Sequence, residues 1–365
     1  MRVSVVCPTY NRSQAIRSTL ASVARQAFPD WELLVASDGS TDDTDDVVRA
    51  VSADEPRIRL IRTEPHGDPS EPRNIALAQA SGDIVAYLDH DDRFRPDHLQ
   101  RVVDLVDGGA DLVAMGNVYR DGHGIEKRRS SSFAMCWHPE LQLLSAMFET
   151  SRVSHRRELV DEAGGWRVVP GFEDWDLWQR MADHGHRFTT VNEHTVRMLA
   201  RDGSRRHTIP SRYRLPLVVF DEPDQARLAL SELESDRHTQ RLRAASIVDM
   251  RAWLARLMES PDFVRPNGWS GDPVRHHVQR VTKAHAPVAG LVVSRHADGW
   301  ALAQPLHCPT ADHADRIVAA AHRDRPTLLG EVQAITAPFG ARFPHVRPVR
   351  TSGLADLQTT TRGTS

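Results

Sequence analysis

Two periodicities alternate regularly through the first third of this chain, and that alternation leaves few folds open to it. Short apolar runs, "RVSVVC", "WELLVAS", "RIRLIRT", "DIVAYLD" and "DLVAMGNVY", recur between stretches with helical spacing. In "SQAIRSTLASVARQA" the apolar residues Ile16, Leu20, Val23 and Ala27 fall on one helical face. "TDDTDDVVRAV" carries acidic residues in its first turn, where the helix dipole favours them. "SEPRNIALAQA" offers Ser70 as a cap and Pro72 in its first turn, and "PDHLQRVVDLV" reads as a further helix. Strands separated by crossover helices pair in parallel, and a parallel sheet must be covered on both faces. The expectation is an α/β chain with a mostly parallel central sheet, helices on both faces, and ligands at the carboxyl ends of the strands.

That rule directs attention to "VAYLDHDDRFRPDHL", where an apolar strand ends in Asp89-His90-Asp91-Asp92. Carboxylates gathered at a strand end repel one another unless a cation sits there. Asp-x-Asp projects two side chains to the same side of an extended chain. Hard oxygen ligands suit Mg²⁺ or Mn²⁺, and such an ion takes one or two protein carboxylates plus phosphate oxygens. The partner this implies is a diphosphate. Taken alone, the pattern serves equally well as an acidic turn before the next helix. The same edge holds more. "SDGSTDDT" puts Asp38 at the end of the second strand, "CPTYNR" puts Thr9, Tyr10 and Asn11 at the end of the first, and "HGDPSEPRN" delivers Arg73 beside the third. Arginine suits phosphate because its fork donates two parallel hydrogen bonds.

In order and separation, "VSVVCPTYNR", "ASDGSTDDT", "PRNIALAQASGDIVAYLDHDD" and "GGWRVVPGFEDWDLWQRMADHG" resemble the motifs of family 2 glycosyltransferases with the GT-A fold, a Rossmann-like sheet. The resemblance covers roughly residues 1–210. It implies a nucleotide-sugar site formed by Pro8, Thr9, Tyr10, Arg12, Asp38, Arg73, Asp89 and His90, and a Mn²⁺ or Mg²⁺ ion held by Asp89 and Asp91. It also implies Asp174 as catalytic base, with Glu173 as the neighbouring candidate. The chemistry agrees: an acceptor hydroxyl attacking an anomeric carbon needs a proton acceptor opposite the leaving group, and the leaving diphosphate needs neutralising. One base and one metal suffice for a single displacement, which inverts configuration. Without the other motifs, Glu173-Asp174 reads as an acidic helix N-terminus.

Two departures stand out. Many relatives carry "GxxxARN", and here "GDPSEPRN" stiffens and acidifies the loop with Glu71 and Pro72. Where relatives place a metal-ligating histidine, "LARDGS" aligns Arg201, with His207 a few residues on as the alternative ligand. Trp166, Trp175 and Trp178 surround the ED motif; Trp178 reads as core, while Trp175 and Trp166 are candidates for the acceptor side. The basic runs "EKRRSSS" and "GSRRH" read as solvated loops within reach of phosphate or acceptor, and Glu126–Met135 as a whole reads as a loop. "PELQLLSAMF" is expected to be helical and "RFTTVNEHTVRMLA" to be a pair of strands.

At 365 residues the chain exceeds a typical domain of about 100–200 residues, and its character changes near residue 210. Residues 211–350 read as a smaller C-terminal α+β module without chemistry of its own, and 351–365 as a disordered tail. In that module "RLRAASIVDMRAWLARLM" is an amphipathic helix whose stripe, including Trp253 and Leu257, could mediate self-association, and "ADG" marks a hairpin. His307, Cys308 and His313 match no standard zinc spacing. A net charge of -3 gives no reason to expect nucleic acid. Cys7, Cys136 and Cys308 are far apart, which fits a reducing cytoplasm, and no apolar run is long enough to span a membrane. Two alternatives stay open: a non-catalytic nucleotide-sugar-binding scaffold, and a sugar-nucleotide nucleotidyltransferase, which would normally show a Gly-rich basic loop where "CPTYNRSQ" stands.

Overall fold

The computed structural model describes residues 1–200, 209–283, 288 and 290–350. Arg201, His207 and the segment 351–365 lie outside them. The chain divides into two units: Met1–Arg206 with Asp262–Gly271, and His207–Pro261 with Asp272–Ser365. The return of Asp262–Gly271 to the first unit has no counterpart in a single boundary near residue 210.

The first unit runs β1 (Val3–Thr9), α1 (Ser13–Ala24), β2 (Trp31–Asp38), α2 (Thr44–Asp54), β3 (Ile58–Thr63), α3 (Ser70–Leu77), β4 (Ile84–Tyr87), β5 (Arg93–Phe94), α4 (His98–Asp107), β6 (Leu112–Arg120) and β7 (Glu126–Arg129). It continues with α5 (Pro139–Leu144), β8 (Val153–Arg156), α6 (Glu158–Glu162), α7 (Glu173–Asp183) and β9 (Phe188–Leu199). The sheet order is β3-β2-β1-β4-β8-β6-β9-β5, with β7 pairing β6. Strands β3, β2, β1 and β4 are mutually parallel. β8 is antiparallel to both β4 and β6, so β6 and its parallel partner β9 point the same way as β4. The carboxyl ends of β1, β2, β4, β6 and β9 therefore share one edge.

Consecutive residues of β1 show why the apolar runs are unbroken. Val5 packs with Ile16 and Leu20 of α1, Val48 of α2 and Leu99 and Val102 of α4. Its neighbour Val6 packs on the other face with Leu77 of α3 and Leu177, Trp178 and Met181 of α7. Every position of β1 and β2 is buried, as a strand covered on both faces requires. Trp178 lies in this core.

Three expectations are corrected. The basic stretch after residue 126 begins as strand β7, paired with the distal half of β6. Its four residues are exposed and charged, which erases the apolar signature of a strand. The turn before it is built by Asp121, whose carboxylate accepts from the backbone N–H groups of His123 and Ile125. The segment "RFTTVNEHTVRML" is one strand, not two. The turn-like Asn192-Glu193 is absorbed as a bulge, since Val191 pairs with Met115 and His194 with the very next residue, Gly116. Gly116 has no room for a side chain: a Cβ would sit 2.9 Å from the Glu193 carbonyl oxygen. "PELQLLSAMF" is helical only over α5.

The second unit holds a four-stranded antiparallel sheet, ordered β11-β12-β10-β13, with β10 (Tyr213–Phe220), β11 (Val292–His296), β12 (Gly299–Leu306) and β13 (Val349–Arg350). The "ADG" hairpin joins β11 to β12. The helix Asp236–Glu259 packs against Pro326–Thr336 with Leu242, Ala245 and Leu257 buried. On the stripe that carries Trp253 and Leu257, Leu257 is fully buried within the unit and Trp253 is half-buried.

Candidate active site at the carboxyl edge

The first two motifs lock to each other. Asn11 adopts a left-handed φ of 48°, a conformation asparagine tolerates better than most residues. Its side-chain oxygen accepts from the backbone N–H of Thr41 at 2.8 Å and of Asp42 at 3.3 Å. Arg12 donates its backbone N–H to the Thr44 hydroxyl at 2.7 Å. Asp38 accepts from the N–H groups of His66 and Gly67 at 2.8 and 3.0 Å, and so ties the end of β2 to the loop before α3. Thr9 is buried with a hydroxyl that lacks a protein partner, while Tyr10 is 51% exposed beside it. The Arg12 guanidinium donates to Nε2 of His90 at 3.1 Å. That bond requires a neutral imidazole. Burial accordingly holds His90 below its usual pKa, against the upward pull of Asp91 and Asp89, and the ring also bonds the Pro8 carbonyl.

The carboxylates after β4 have different fates. Asp92 is buried and accepts from the Ser151 hydroxyl at 2.7 Å and the Leu199 N–H at 3.2 Å. Burial, with Asp89 and Asp91 nearby, raises its pKa. Asp92 is framework. Ser151 also accepts from the Asp89 N–H at 3.0 Å, and Thr19 donates to the carbonyls of His90 and Asp92, so the whole turn is fixed from beneath. Asp91 is half-buried, and the Asp89 side chain is 36% exposed. Among the described residues no group of three or more His, Cys, Asp or Glu side chains could hold a metal. Asp89 and Asp91 are partly exposed hard oxygen donors on one turn, the donor type such an ion takes beside diphosphate oxygens.

Arg73 joins the motifs. It is 2% exposed, contacts Asp89 at 3.0 Å and Glu173 at 3.5 Å, and stacks on the Trp166 ring at 4.3 Å. The arginine expected beside the phosphates thus bridges two carboxylates from separate motifs. Its neighbour Asn74 clamps the backbone of Trp166 in both directions, each bond 2.9 Å, and Ser70 donates to the Arg167 carbonyl at 3.0 Å. These contacts fix the segment leading to the ED motif. A Cβ at Gly165 would meet the Asn74 side chain at 3.1 Å, in a backbone with φ of 73°.

Phe172, just before α7, has φ of 61°, a strained conformation that costs on the order of 1–3 kcal/mol and marks an over-determined loop. Asp174 accepts from the Trp175 N–H at 2.8 Å. Burial pushes its pKa up to about 7, with Glu173 adding to the rise. Trp175 is 5% exposed and donates its indole N–H to the Gln142 carbonyl; Trp166 is 3% exposed beneath Arg73. Both rings face inward. Ser151 and Asn74 were not assigned roles by sequence reasoning: Ser151 belongs to no motif, and Asn74 gives a signal only by adjoining Arg73.

Residues 4–163 match the profile of glycosyl transferase family 2. Among curated proteins, the GalNAc(5)-diNAcBac-PP-undecaprenol β-1,3-glucosyltransferase of Campylobacter jejuni is 31% identical over 136 residues, covering 34% of this chain and 44% of that protein. The poly(ribitol-phosphate) β-N-acetylglucosaminyltransferase TarS of Staphylococcus aureus is 32% identical over 152 residues, covering 40% of this chain and 25% of that protein. The chain spans less than half the length of either relative. The solved structure of S. aureus TarS residues 1–349 in complex with UDP-GlcNAc aligns with a TM-score of 0.50 and 17% identity, over 96% of this chain and 99% of that one. That likeness is one of fold, of GT-A type.

Proposed function

With a glycosyl transferase family 2 domain over residues 4–163 as the premise, we propose that this chain is an inverting, metal-dependent glycosyltransferase. It moves a sugar from a nucleotide-diphosphate sugar to an acceptor hydroxyl by single displacement. The observation that carries the reading is the pairing of Asp174, its pKa near 7, with the Asp89–Asp91 turn through Arg73 and Glu173. A carboxylate of that pKa accepts a proton at neutral pH more readily than an ordinary aspartate and still releases it. Glu173 holds Arg73 and raises Asp174 by its charge. Asp89 and Asp91 would hold Mn²⁺ or Mg²⁺, which would neutralise the leaving diphosphate as a Lewis acid. Thr9, Tyr10, Asp38 and the Arg12–His90 pair line the nucleoside side.

UDP-GlcNAc is the first donor to test, since the TarS structure holds it. The experiment compares hydrolysis and transfer with Mn²⁺ and with EDTA, for wild type and Asp174→Asn. The expected result is metal-dependent turnover that falls about 10²–10⁴-fold in the variant, with donor affinity nearly unchanged. Near-normal transfer by a folded Asp174→Asn protein removes the base from Asp174. Metal-independent turnover removes the ion.

A further inference from the structure

The far end of the same edge carries a second concentration of charge, of opposite sign. Arg93 of β5 stands directly opposite Arg197 of β9 in antiparallel register, which puts both side chains on one face. Arg197 lies beside Val118 of β6, and Arg120 follows two residues on, on the same face as Val118. Arg95 is drawn in by its N–H bond to the Thr195 carbonyl at 2.8 Å. Partial desolvation, and then repulsion from Arg120, Arg95 and Arg93, lowers the pKa of Arg197.

The neighbouring carboxylates are already engaged. Asp97 pairs with Arg95 at 3.3 Å, and Glu126, opposite Arg120 across the β6–β7 ladder, pairs with Arg129 at 2.6 Å. Asp121 pairs with Lys127 at 2.9 Å. Arg120 donates to the Gly124 carbonyl at 3.0 Å, and its Nε is buried without a partner. Among the described residues, neither Arg93 nor Arg197 forms an ion pair. Like charges directly opposite in a sheet are destabilising. An oxyanion shared between the forks reverses the sign of that interaction. Arg120 and Arg197 sit at the carboxyl ends of β6 and β9, and Arg93 directly follows Asp92. The patch begins where the carboxylate turn ends.

We propose that this patch is an oxyanion subsite for the acceptor, which carries a phosphate or carboxylate group near the hydroxyl to be glycosylated. The acceptor assignment rests on reading the edge as a glycosyl-transfer site; the anion binding does not. A membrane surface is the weaker occupant, because this unit exposes only four large apolar side chains among the described residues, Met1, Tyr10, Ile125 and Val168, each from a different segment.

The test is isothermal titration of the full chain in EDTA, where no metal can hold a diphosphate at Asp89 and Asp91. The probes are tripolyphosphate, trigalacturonate and, as a neutral control, maltotriose. Wild type should bind one or both anions, more weakly as salt rises, and should not bind maltotriose; the anion preferred distinguishes phosphate from carboxylate acceptors. The Arg93→Gln/Arg197→Gln protein should bind at least about tenfold more weakly without a fall in melting temperature. If that pair fails to fold, Arg120→Gln makes the same test. Equal anion binding by wild type and variant overturns the proposal, as does failure of wild type to bind either anion. Arginine-dependent binding to phosphatidylglycerol vesicles alone overturns it in favour of a membrane. Anion binding without any donor turnover sinks the transferase reading and the acceptor assignment but leaves the oxyanion site.

Discussion

Arg73 and Arg197 both reach the carboxyl edge of one sheet, yet they live in opposite surroundings. Arg73 is buried between Asp89 and Glu173 on the face of Trp166. Arg197 is exposed and faces Arg93. The same contrast runs through the two halves of the edge. Around β1, β2 and β4 nearly every charged or polar group has an internal partner: Asp38 holds the His66–Gly67 turn, Asp92 holds Ser151 and Leu199, and Arg12 holds His90. Around β5, β6 and β9, Arg93, Arg120 and Arg197 form no ion pair among the described residues. A half whose charges are internally satisfied is built to keep its geometry before a ligand arrives. A half whose charges repel is built to be completed by one.

Substitution of Arg73 probes that contrast most strongly. Arg73→Met keeps the length and apolar stem but leaves Asp89 and Glu173 facing each other without a cation. Removing one partner of a buried pair costs about 3–5 kcal/mol, and the partial exposure of Asp89 places the loss near the lower end. The melting temperature should fall accordingly, and donor turnover should fall with it. A protein of unchanged stability would show that the bridge is not structural, and would erase the difference between the two arginines.

The pH dependence of Asp174 sharpens the same point at intermediate size. Its folded pKa, about 7, lies above the ordinary 3.8 of an unfolded aspartate. Between those values the folded protein holds a proton that the unfolded chain has released, so this group's contribution to stability falls as pH rises from about 4 to about 7. Asp174→Asn cannot titrate. It should be more stable than wild type above pH 7, with the gap closing toward pH 4, in melting curves taken across that range. Wild-type transfer should rise through pH 7 as the base deprotonates. A stability gap that does not vary with pH contradicts the raised pKa.

How much of this was legible in the sequence depends on whether burial or spacing carries the signal. Alternation of apolar runs and amphipathic helices marks the parallel sheet, because covering both faces demands apolar residues at every strand position. Motif resemblance singled out Asp89, Asp91, Glu173 and Asp174, and Arg73 contacts both Asp89 and Glu173. Strand β7 was illegible because its exposed residues are all charged, and β9 read as two strands because the Asn192-Glu193 bulge uses turn-type residues. Asp91 and Asp92 are adjacent and identical in type. Only the Ser151 and Leu199 bonds distinguish the half-exposed one from the buried one. The inward burial of Trp175 likewise depends on the Gln142 carbonyl, from a helix remote in sequence.

The smallest effect, and the cleanest counterpart to Arg73, is Arg197→Gln. Glutamine keeps a polar side chain on an exposed strand position and removes one of two like charges placed directly opposite. Cross-strand pairs of this kind are worth about 0.2–1 kcal/mol, so the variant should be stabilised by an amount in that range. The origin is electrostatic, so the gain should be largest at low salt and shrink near 1 M, where the Debye length falls to about 3 Å. Arg93→Gln should give a similar gain, and the double variant should give less than the sum, because either change alone removes the opposition. Chemical denaturation in urea at two salt concentrations measures all of this without adding ionic denaturant. A loss of stability that is indifferent to salt would mean that the Arg197 stem packs as structure. The two arginines would then differ in degree rather than in kind, and the repulsion that calls for an oxyanion would be gone.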